Sequence, residues 1–97
     1  MALIRSNKAG AAGAQLNYDF EPTGFSWPTL GTNFTIGKRY GIIIYATTTH
    51  ASSFTGATIN EEKAAGDIVY YDITATATTI VAVGAQGYAG GMVVMEY

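Results

Sequence analysis

Residues 16–20 alternate apolar and polar, as a strand with one buried face does, and from there on the chain has the pattern of strands separated by turns. Strand candidates bounded by turn residues are residues 16–20, 33–36, 54–59, 68–74, 78–83 and 92–97. The strongest candidate is residues 40–48, because its centre is apolar on both faces. Such a strand lies inside a sheet that is covered on each side, or at a contact between subunits.

The same alternation predicts which side chains face the core. In residues 68–74 the inward set is Val69, Tyr71 and Ile73; in residues 78–83 it is either Ile80 with Ala82 or Val81 with Val83. Residues 60–67 are polar and predict a solvated loop, with one helical turn as an option. The glycine-rich residues 84–91 predict a turn, and residues 25–30, which hold a proline, predict irregular backbone.

Seven or eight short strands with turns every 8–12 residues are typical of a sandwich or a barrel. Composition agrees, because 13 threonines, nine isoleucines and five valines stand against three leucines, and β-branched side chains suit a pleated surface. We therefore expect an all-β chain whose residues 16–97 form a single antiparallel β-sandwich.

Residues 1–15 are expected to form an extended N-terminal arm outside this domain. Glycines and alanines fill residues 9–14, and each glycine weakens a helix by about 1 kcal/mol relative to alanine. Small residues permit the close backbone approach that strand addition at an interface requires. Either the sheet of the same domain or a neighbouring molecule would hold such an arm, and Leu3, Ile4 and Arg5 are predicted to dock it at a partner interface.

Charge and cysteine content exclude several classes of protein. Five basic and seven acidic residues give a net charge of −2, whereas phosphate recognition needs clustered Lys and Arg. The absence of cysteine removes disulfides and thiolate metal sites, which leaves association as the expected source of added stability. No apolar run approaches a membrane span of about 20 residues or the roughly 7–15 apolar residues of a signal peptide, so we expect synthesis in the cytoplasm.

No catalytic, cofactor or metal site is predicted. His50, beside Thr49 and Ser52, is interpreted as a loop residue rather than a general base. The carboxylates of Asp19, Glu21, Asp67 and Asp72 are interpreted as solvated groups at strand ends, since neither a deep cleft nor a calcium-loop spacing accompanies them. Residues 84–91 precede a strand and lack a GK[ST] sequence, so they are not a phosphate-binding loop.

The one concentration of aromatic residues is Tyr18, Phe20, Phe25 and Trp27. Phe25 and Trp27 are predicted to lie at a subunit contact, where aromatic side chains are enriched, or to close one end of the domain. The alternative is that Tyr18, Phe25 and Trp27 form a platform on which sugars or bases stack.

Residues 34–44, Phe-Thr-Ile-Gly-Lys-Arg-Tyr-Gly-Ile-Ile-Ile, and the Thr/Ala-rich residues 70–83 resemble segments of small virion β-sandwich proteins of tailed bacteriophages. The resemblance covers residues 33–97 and is one of style, without a single-family motif. It implies a jelly-roll-like fold and a structural role as a capsid decoration or auxiliary protein, a head-fibre base or a tail-associated protein. Such proteins form homo-oligomers, often trimers, and contact the major capsid protein or another virion protein.

The function expected from the sequence is therefore that of a non-enzymatic structural protein of a virus particle, assembling with itself and with the shell. It would be located in the virion and bind neither nucleic acid nor membrane. The alternative is a carbohydrate- or receptor-binding module of a phage tail or fibre.

Overall fold

The computed structural model describes residues 20–97, with the side chains of that range apart from those of 46–49 and 86–90. The described residues form seven strands and no helix. The strands are β1 (Thr29–Gly31), β2 (Arg39–Thr49), β3 (Ser53–Thr55), β4 (Ala57–Ala65), β5 (Ile68–Ala75), β6 (Ile80–Val83) and β7 (Gln86–Glu96). All pairings between them are antiparallel. The all-β antiparallel class predicted from the sequence is confirmed.

The seven strands form one sheet in the order β1-β6-β3-β4-β5-β2-β7. Only Gly84 and Ala85 link β6 to β7, although these strands are second and seventh in that order. In a flat sheet five strand spacings would separate them by about 24 Å, whereas the link reaches at most about 11 Å. The sheet must therefore curl upon itself. These residues form a single curled sheet, so the two-sheet sandwich of the prediction is not confirmed.

The core lies inside the curl and is built from alternate residues of the strands. In β5 the buried row includes Val69, Tyr71 and Ile73, as predicted. In β6 the buried row is Ile80 with Ala82, the first of the two predicted alternatives. The inward row of β2, also buried, is Tyr40, Ile42 and Ile44. The period-two pattern thus identified the inward row of β5, left two rows open in β6, and did not identify the inward row of β2, whose centre is apolar on both faces.

The predictions made from polar or glycine-rich composition alone were wrong. Residues 60–65 are not a solvated loop but continue β4, because their backbone pairs with β5 over positions such as Lys63 and Tyr70. Residues 86–91 are not a turn but begin β7, which pairs with the far end of β2. Backbone pairing with a neighbouring strand outweighs side-chain composition at both of these places. The strand predicted for residues 54–59 is present, but Gly56 divides it between β3 and β4.

Residues 33–36, expected to be a strand, lie in the connection between β1 and β2, and Phe34 is buried in the core. The rings of Phe20 and Phe34 contact Tyr40 with centroid distances of 5.0 and 4.9 Å. The Phe34 amide donates to the carbonyl of Thr78 at 3.1 Å, so this segment bonds to the β5–β6 connection rather than to a ladder. Phe20 belongs to no strand, and residues 16–19 lie outside the described residues.

The two edges of the sheet differ. Beside the edge strand β1, the residues that precede it fold back, and Ser26 and Thr29 exchange backbone hydrogen bonds of 2.9 and 2.7 Å. The Thr32 amide also donates to the carbonyl of Thr23 at 2.8 Å. At the other edge, β7 pairs with β2 on one side, and no strand among residues 20–97 pairs with its other side. The β7 edge is therefore the one at which the described sheet ends without a neighbour.

Candidate assembly surface

The candidate site is the outer face of β2, β5 and β7, opposite the core. Successive side chains of a strand point to opposite faces, so the residues that alternate with the core row lie outside. Four apolar side chains lie close together there and are called the outer patch: Ile43, Tyr45, Ile68 and Val93.

The strand register brings the outer patch together. Ile43 lies opposite Val93 of β7, and Tyr45 lies opposite Ile68 of β5. Directly opposite residues have Cβ atoms about 4.5–5.5 Å apart. Gly91, the β7 neighbour of Tyr45, would place a Cβ only 3.3 Å from the Tyr45 Cβ, so its lack of a side chain leaves this row uncrowded.

The outer patch lies on three adjacent strands and is accessible to solvent. Tyr45 is 45% exposed, Ile68 49% and Val93 39%, while Ile43 is half-buried. Single exposed apolar residues are common on protein surfaces, but a contiguous group on a rigid sheet is typical of an interaction site. The patch is therefore the surface of the described sheet best suited to contact another molecule.

Next to the outer patch lies a second group on the same face, the outer cluster: Arg39, Tyr70, Asp72, Met95 and Tyr97. The Arg39 guanidinium donates to both Asp72 carboxylate oxygens, from Nε at 3.3 Å and from Nη2 at 2.5 Å. The Asn60 amide donates to Asp72 Oδ1 at 3.3 Å and to Thr74 Oγ1 at 2.9 Å. Asn60 lies at an irregularity in the β4–β5 register, and this position directs its side chain to the cluster.

The tyrosines of the outer cluster contact Arg39 and each other. The Arg39 guanidinium carbon lies 4.1 Å from the centre of the Tyr97 ring, and the hydroxyls of Tyr70 and Tyr97 are hydrogen-bonded at 2.6 Å. Met95 is completely buried beneath them, beside Gly41, where an added Cβ would lie 3.3 Å from both Met95 Cε and the Tyr70 ring. Glycine at position 41 thus leaves room for the Met95 side chain and the Tyr70 ring.

The pKa values of the cluster follow from these contacts. Hydrogen bonding to Asp72 raises the pKa of the Arg39 guanidinium, which stays charged. Burial, and then the hydrogen bond to Tyr97, raise the pKa of the Tyr70 hydroxyl, which stays neutral. The members therefore satisfy one another, as a structural network does. Asp72, which the sequence led us to interpret as a solvated carboxylate, is instead only 6% exposed and paired.

The remaining candidates for chemistry lie apart from this face. His50 lies in the short link between β2 and β3, where the nearby Ser52 hydroxyl donates to the Val83 carbonyl at 3.3 Å. Among residues 20–97 no group of three or more His, Asp or Glu side chains is placed to hold a metal ion. The same range contains no helix of the length and apolar character needed to cross a membrane.

The aromatic residues Phe25 and Trp27, which the sequence analysis singled out, have different surroundings in the structure. Trp27 and Pro28 form the turn that Ser26 and Thr29 close, next to β1. Phe25 is 41% exposed at this turn, while Trp27 is partly buried and packs against the core. Tyr18 and the arm residues Leu3, Ile4 and Arg5 lie outside the described residues, so the predicted platform and the docking of the arm stay predictions.

The outer patch was not recognised from the sequence, although a signal for it was present. Residues 42–44 are three isoleucines in a row, which puts an apolar side chain on each face of β2. The strand order decides which residues of β5 and β7 lie beside Ile43 and Tyr45 in the outer patch, and no local sequence pattern contains that information.

Comparisons of the chain with protein-family models, with curated proteins and with solved structures found no match.

Proposed function

We propose that this chain is a non-enzymatic structural protein that works by association, with the outer patch as its contact surface. The observation that carries the proposal is the group of exposed apolar side chains Tyr45, Ile68 and Val93 on three adjacent strands of the sheet. Burying apolar surface contributes about 25 cal/mol per Å², which favours covering such a group with another protein.

The setting that we propose is a virus particle of a tailed bacteriophage, in which the chain decorates or supports the shell. Support comes from the likeness of residues 34–44 and 70–83 to small virion proteins. The proposal includes their two-layered, sandwich-like arrangement. Phe54 of β3 contacts Tyr71 of β5 edge-on at 4.9 Å, which is consistent with two halves of the curled sheet facing each other across a common core.

Charged substitutions in the outer patch test this function. We expect the wild-type chain to sediment as a species heavier than its 10.2 kDa monomer, and Tyr45→Glu or Val93→Glu to weaken this association at least about tenfold, because a charge in an apolar contact is left without a partner. The measurement is analytical ultracentrifugation over a range of concentrations, alone and with purified phage particles from a host that carries the gene.

The matched control is Ile36→Glu, because Ile36 is 62% exposed but lies in the β1–β2 connection, away from the patch. This control should associate like the wild type. A wild-type chain that stays monomeric at all concentrations, and does not sediment with particles, would contradict the proposal.

A second candidate function is a carbohydrate- or receptor-binding module. The observation that favours it is the exposure of the Phe25 ring at the turn beside β1, since exposed aromatic rings stack on sugars and bases. Trp27 contributes less of its surface to such a site, because part of it is packed against the core.

A further inference from the structure

We propose that two copies of this chain join through their β7 edges, which pair antiparallel around a two-fold axis at Val93 and continue the sheet from one molecule into the other. This inference rests on the proposed function and names the geometry of the self-contact. A second copy is the occupant, because an antiparallel edge is complementary to itself under two-fold symmetry.

The length and composition of β7 support this occupant. The strand has 11 residues, about twice the usual strand length. Its sequence contains no lysine, arginine or proline, and its one charged residue, Glu96, is the last residue of the strand. Charged residues, lysine above all, and proline are what commonly protects an exposed edge from pairing with another chain. The opposite edge differs, because β1 has three residues and the preceding segment folds back beside it.

The directions of the backbone N–H and C=O groups of β7 identify the residues that would pair with a second copy. The Tyr97 amide donates to the Arg39 carbonyl of β2 at 3.1 Å. In an antiparallel ladder these groups alternate in direction along the strand, and the β2–β7 register is regular from residue 91 to residue 96. The backbone N–H and C=O groups of Met92 and Val94 therefore point away from β2, toward the free side of the edge.

A two-fold axis at Val93 places Met92 of each copy opposite Val94 of the other, and each of these two pairs exchanges two backbone hydrogen bonds. The two Val93 residues then face each other on the outer surface in a non-hydrogen-bonded pair. This position joins the outer patches of both copies into one apolar surface across the axis. It also buries Val93, which is 39% exposed in the single chain.

Single-cysteine cross-linking tests this register directly, because the chain has no cysteine of its own. Cα atoms in a non-hydrogen-bonded antiparallel pair are about 4.5 Å apart, inside the range that a disulfide spans. We expect Val93→Cys, incubated in a glutathione redox buffer, to give at least about five times more disulfide-linked dimer than Ile36→Cys on non-reducing gels. Equal cross-linking of the two variants would overturn the proposal.

A proline substitution tests the edge separately from the face. Met92→Pro removes an N–H on the free side of β7, which a strand edge tolerates, whereas Met92→Ala truncates the same side chain and keeps the N–H. We expect Met92→Pro to raise the dissociation constant of the dimer at least about tenfold relative to Met92→Ala, with the circular dichroism spectra of both variants unchanged.

The remaining outcomes separate this inference from the proposed function. If Tyr45→Glu abolishes association while Met92→Pro and Met92→Ala associate equally, the copies meet through the face alone, and edge pairing is overturned while the proposed function stands. If the chain is monomeric and Met92→Pro lowers its melting temperature more than Met92→Ala does, a segment of the same chain occupies the edge, and the proposal is overturned.

Discussion

Two buried tyrosines of this sheet form hydrogen bonds with backbone groups of connecting segments, and the alternation of residues along a strand does not predict these partners. Tyr71 donates to the carbonyl of Ala51, 20 residues away, at 2.8 Å, and the hydroxyl oxygen of Tyr40 accepts from the Thr35 amide at 2.8 Å. Both tyrosines are completely buried, and a buried hydroxyl without a partner costs free energy. Each ring therefore belongs to the core while its hydroxyl fastens a connecting segment to the sheet.

Removing the Tyr71 hydroxyl tests this at the scale of one residue. Tyr71→Phe leaves the buried carbonyl of Ala51 without this donor, and we expect the free energy of unfolding to fall by about 1–2 kcal/mol. Urea denaturation measures the change. Tyr45→Phe is the matched control, because the exposed Tyr45 ring contributes to a surface rather than to the core, and its stability should be close to that of the wild type.

The same residue predicts how stability depends on pH. Burial, and then the charge of Glu62, raise the pKa of Tyr71 to about 12, above the value near 10 of an unfolded chain. Between about pH 10 and pH 12 the folded state then holds more protons than the unfolded state, so stability falls as the pH rises. Tyr71→Phe should make this decline shallower without abolishing it, because the pKa of Tyr70 is also raised. An unchanged slope would contradict the assignment.

The Arg39–Asp72 pair shows how position decides what an ion pair is worth. The Asp72 carboxylate is nearly buried and receives hydrogen bonds from Arg39 and Asn60, so it is stabilised by geometry as well as charge. By contrast, Lys63 and Glu61 form a pair at 3.4 Å that is largely exposed, and such pairs contribute roughly 0–1 kcal/mol. Both pairs lie near the same sheet face, yet only the first holds strands together.

At the scale of elements, the tight turn between β3 and β4 depends on Gly56. Its φ is +91°, a conformation that residues with a Cβ rarely adopt. The carbonyl of Gly56 also accepts hydrogen bonds from the amides of Thr76 and Ala77 at 2.8 and 3.1 Å. A Cβ at this position would collide with the Thr79 carbonyl oxygen. The turn is therefore held against the β5–β6 connection, with no room for a side chain.

Two alanine substitutions separate the backbone cost from the collision. Gly37 has the same φ of +91°, but a Cβ there would meet nothing within 4 Å. We expect Gly37→Ala to lower the free energy of unfolding by about 1–2 kcal/mol through backbone conformation alone. Gly56→Ala should cost at least about 2 kcal/mol more, because backbone atoms of the neighbouring connection have to move. Equal losses in urea denaturation would contradict a collision between the Gly56→Ala side chain and the β5–β6 connection.

For the whole molecule, the main question is whether the chain assembles or binds a ligand. Saturable binding to a glycan array that is lost in Phe25→Ala, in a chain that stays monomeric, would favour the binding module. Phe25→Ala is the better probe, since Trp27→Ala also removes contacts with the core and is expected to lower stability. Association that is unaffected by Phe25→Ala and lost in Tyr45→Glu would favour the structural role.

Much of the fold is visible in the sequence because strand periodicity is local. The buried row Val69, Tyr71 and Ile73 was predicted correctly, and so was the strand around residues 42–44. The second half of β4 and the first half of β7 were missed. Their residues are polar or glycine-rich, and they are strands because a neighbouring strand supplies hydrogen-bond partners for their backbone.

The candidate site was accessible to sequence reasoning only in part. Apolar residues on both faces of β2 indicated that its outer side would be covered, within a sheet or at a subunit contact. Nothing in the order of residues indicated that Ile68 and Val93 would lie beside it, nor that Asp72 would be buried with Arg39. These neighbours are brought together by the strand order β5-β2-β7, in which segments more than 20 residues apart become adjacent.

The amino-acid sequence by itself determined that residues 20–97 are all-β, that Val69, Tyr71 and Ile73 face the core, and that no cysteine supports the fold. The tertiary structure alone decided that the strands of residues 20–97 form one curled sheet with β1 and β7 at its edges, and that β7, the longer of the two, ends the described sheet without a neighbouring strand on its other side. The physical reason is the range of the interactions. Alternation of side chains acts between residues two apart, whereas pairing between strands joins distant segments, and its outcome depends on the whole chain at once.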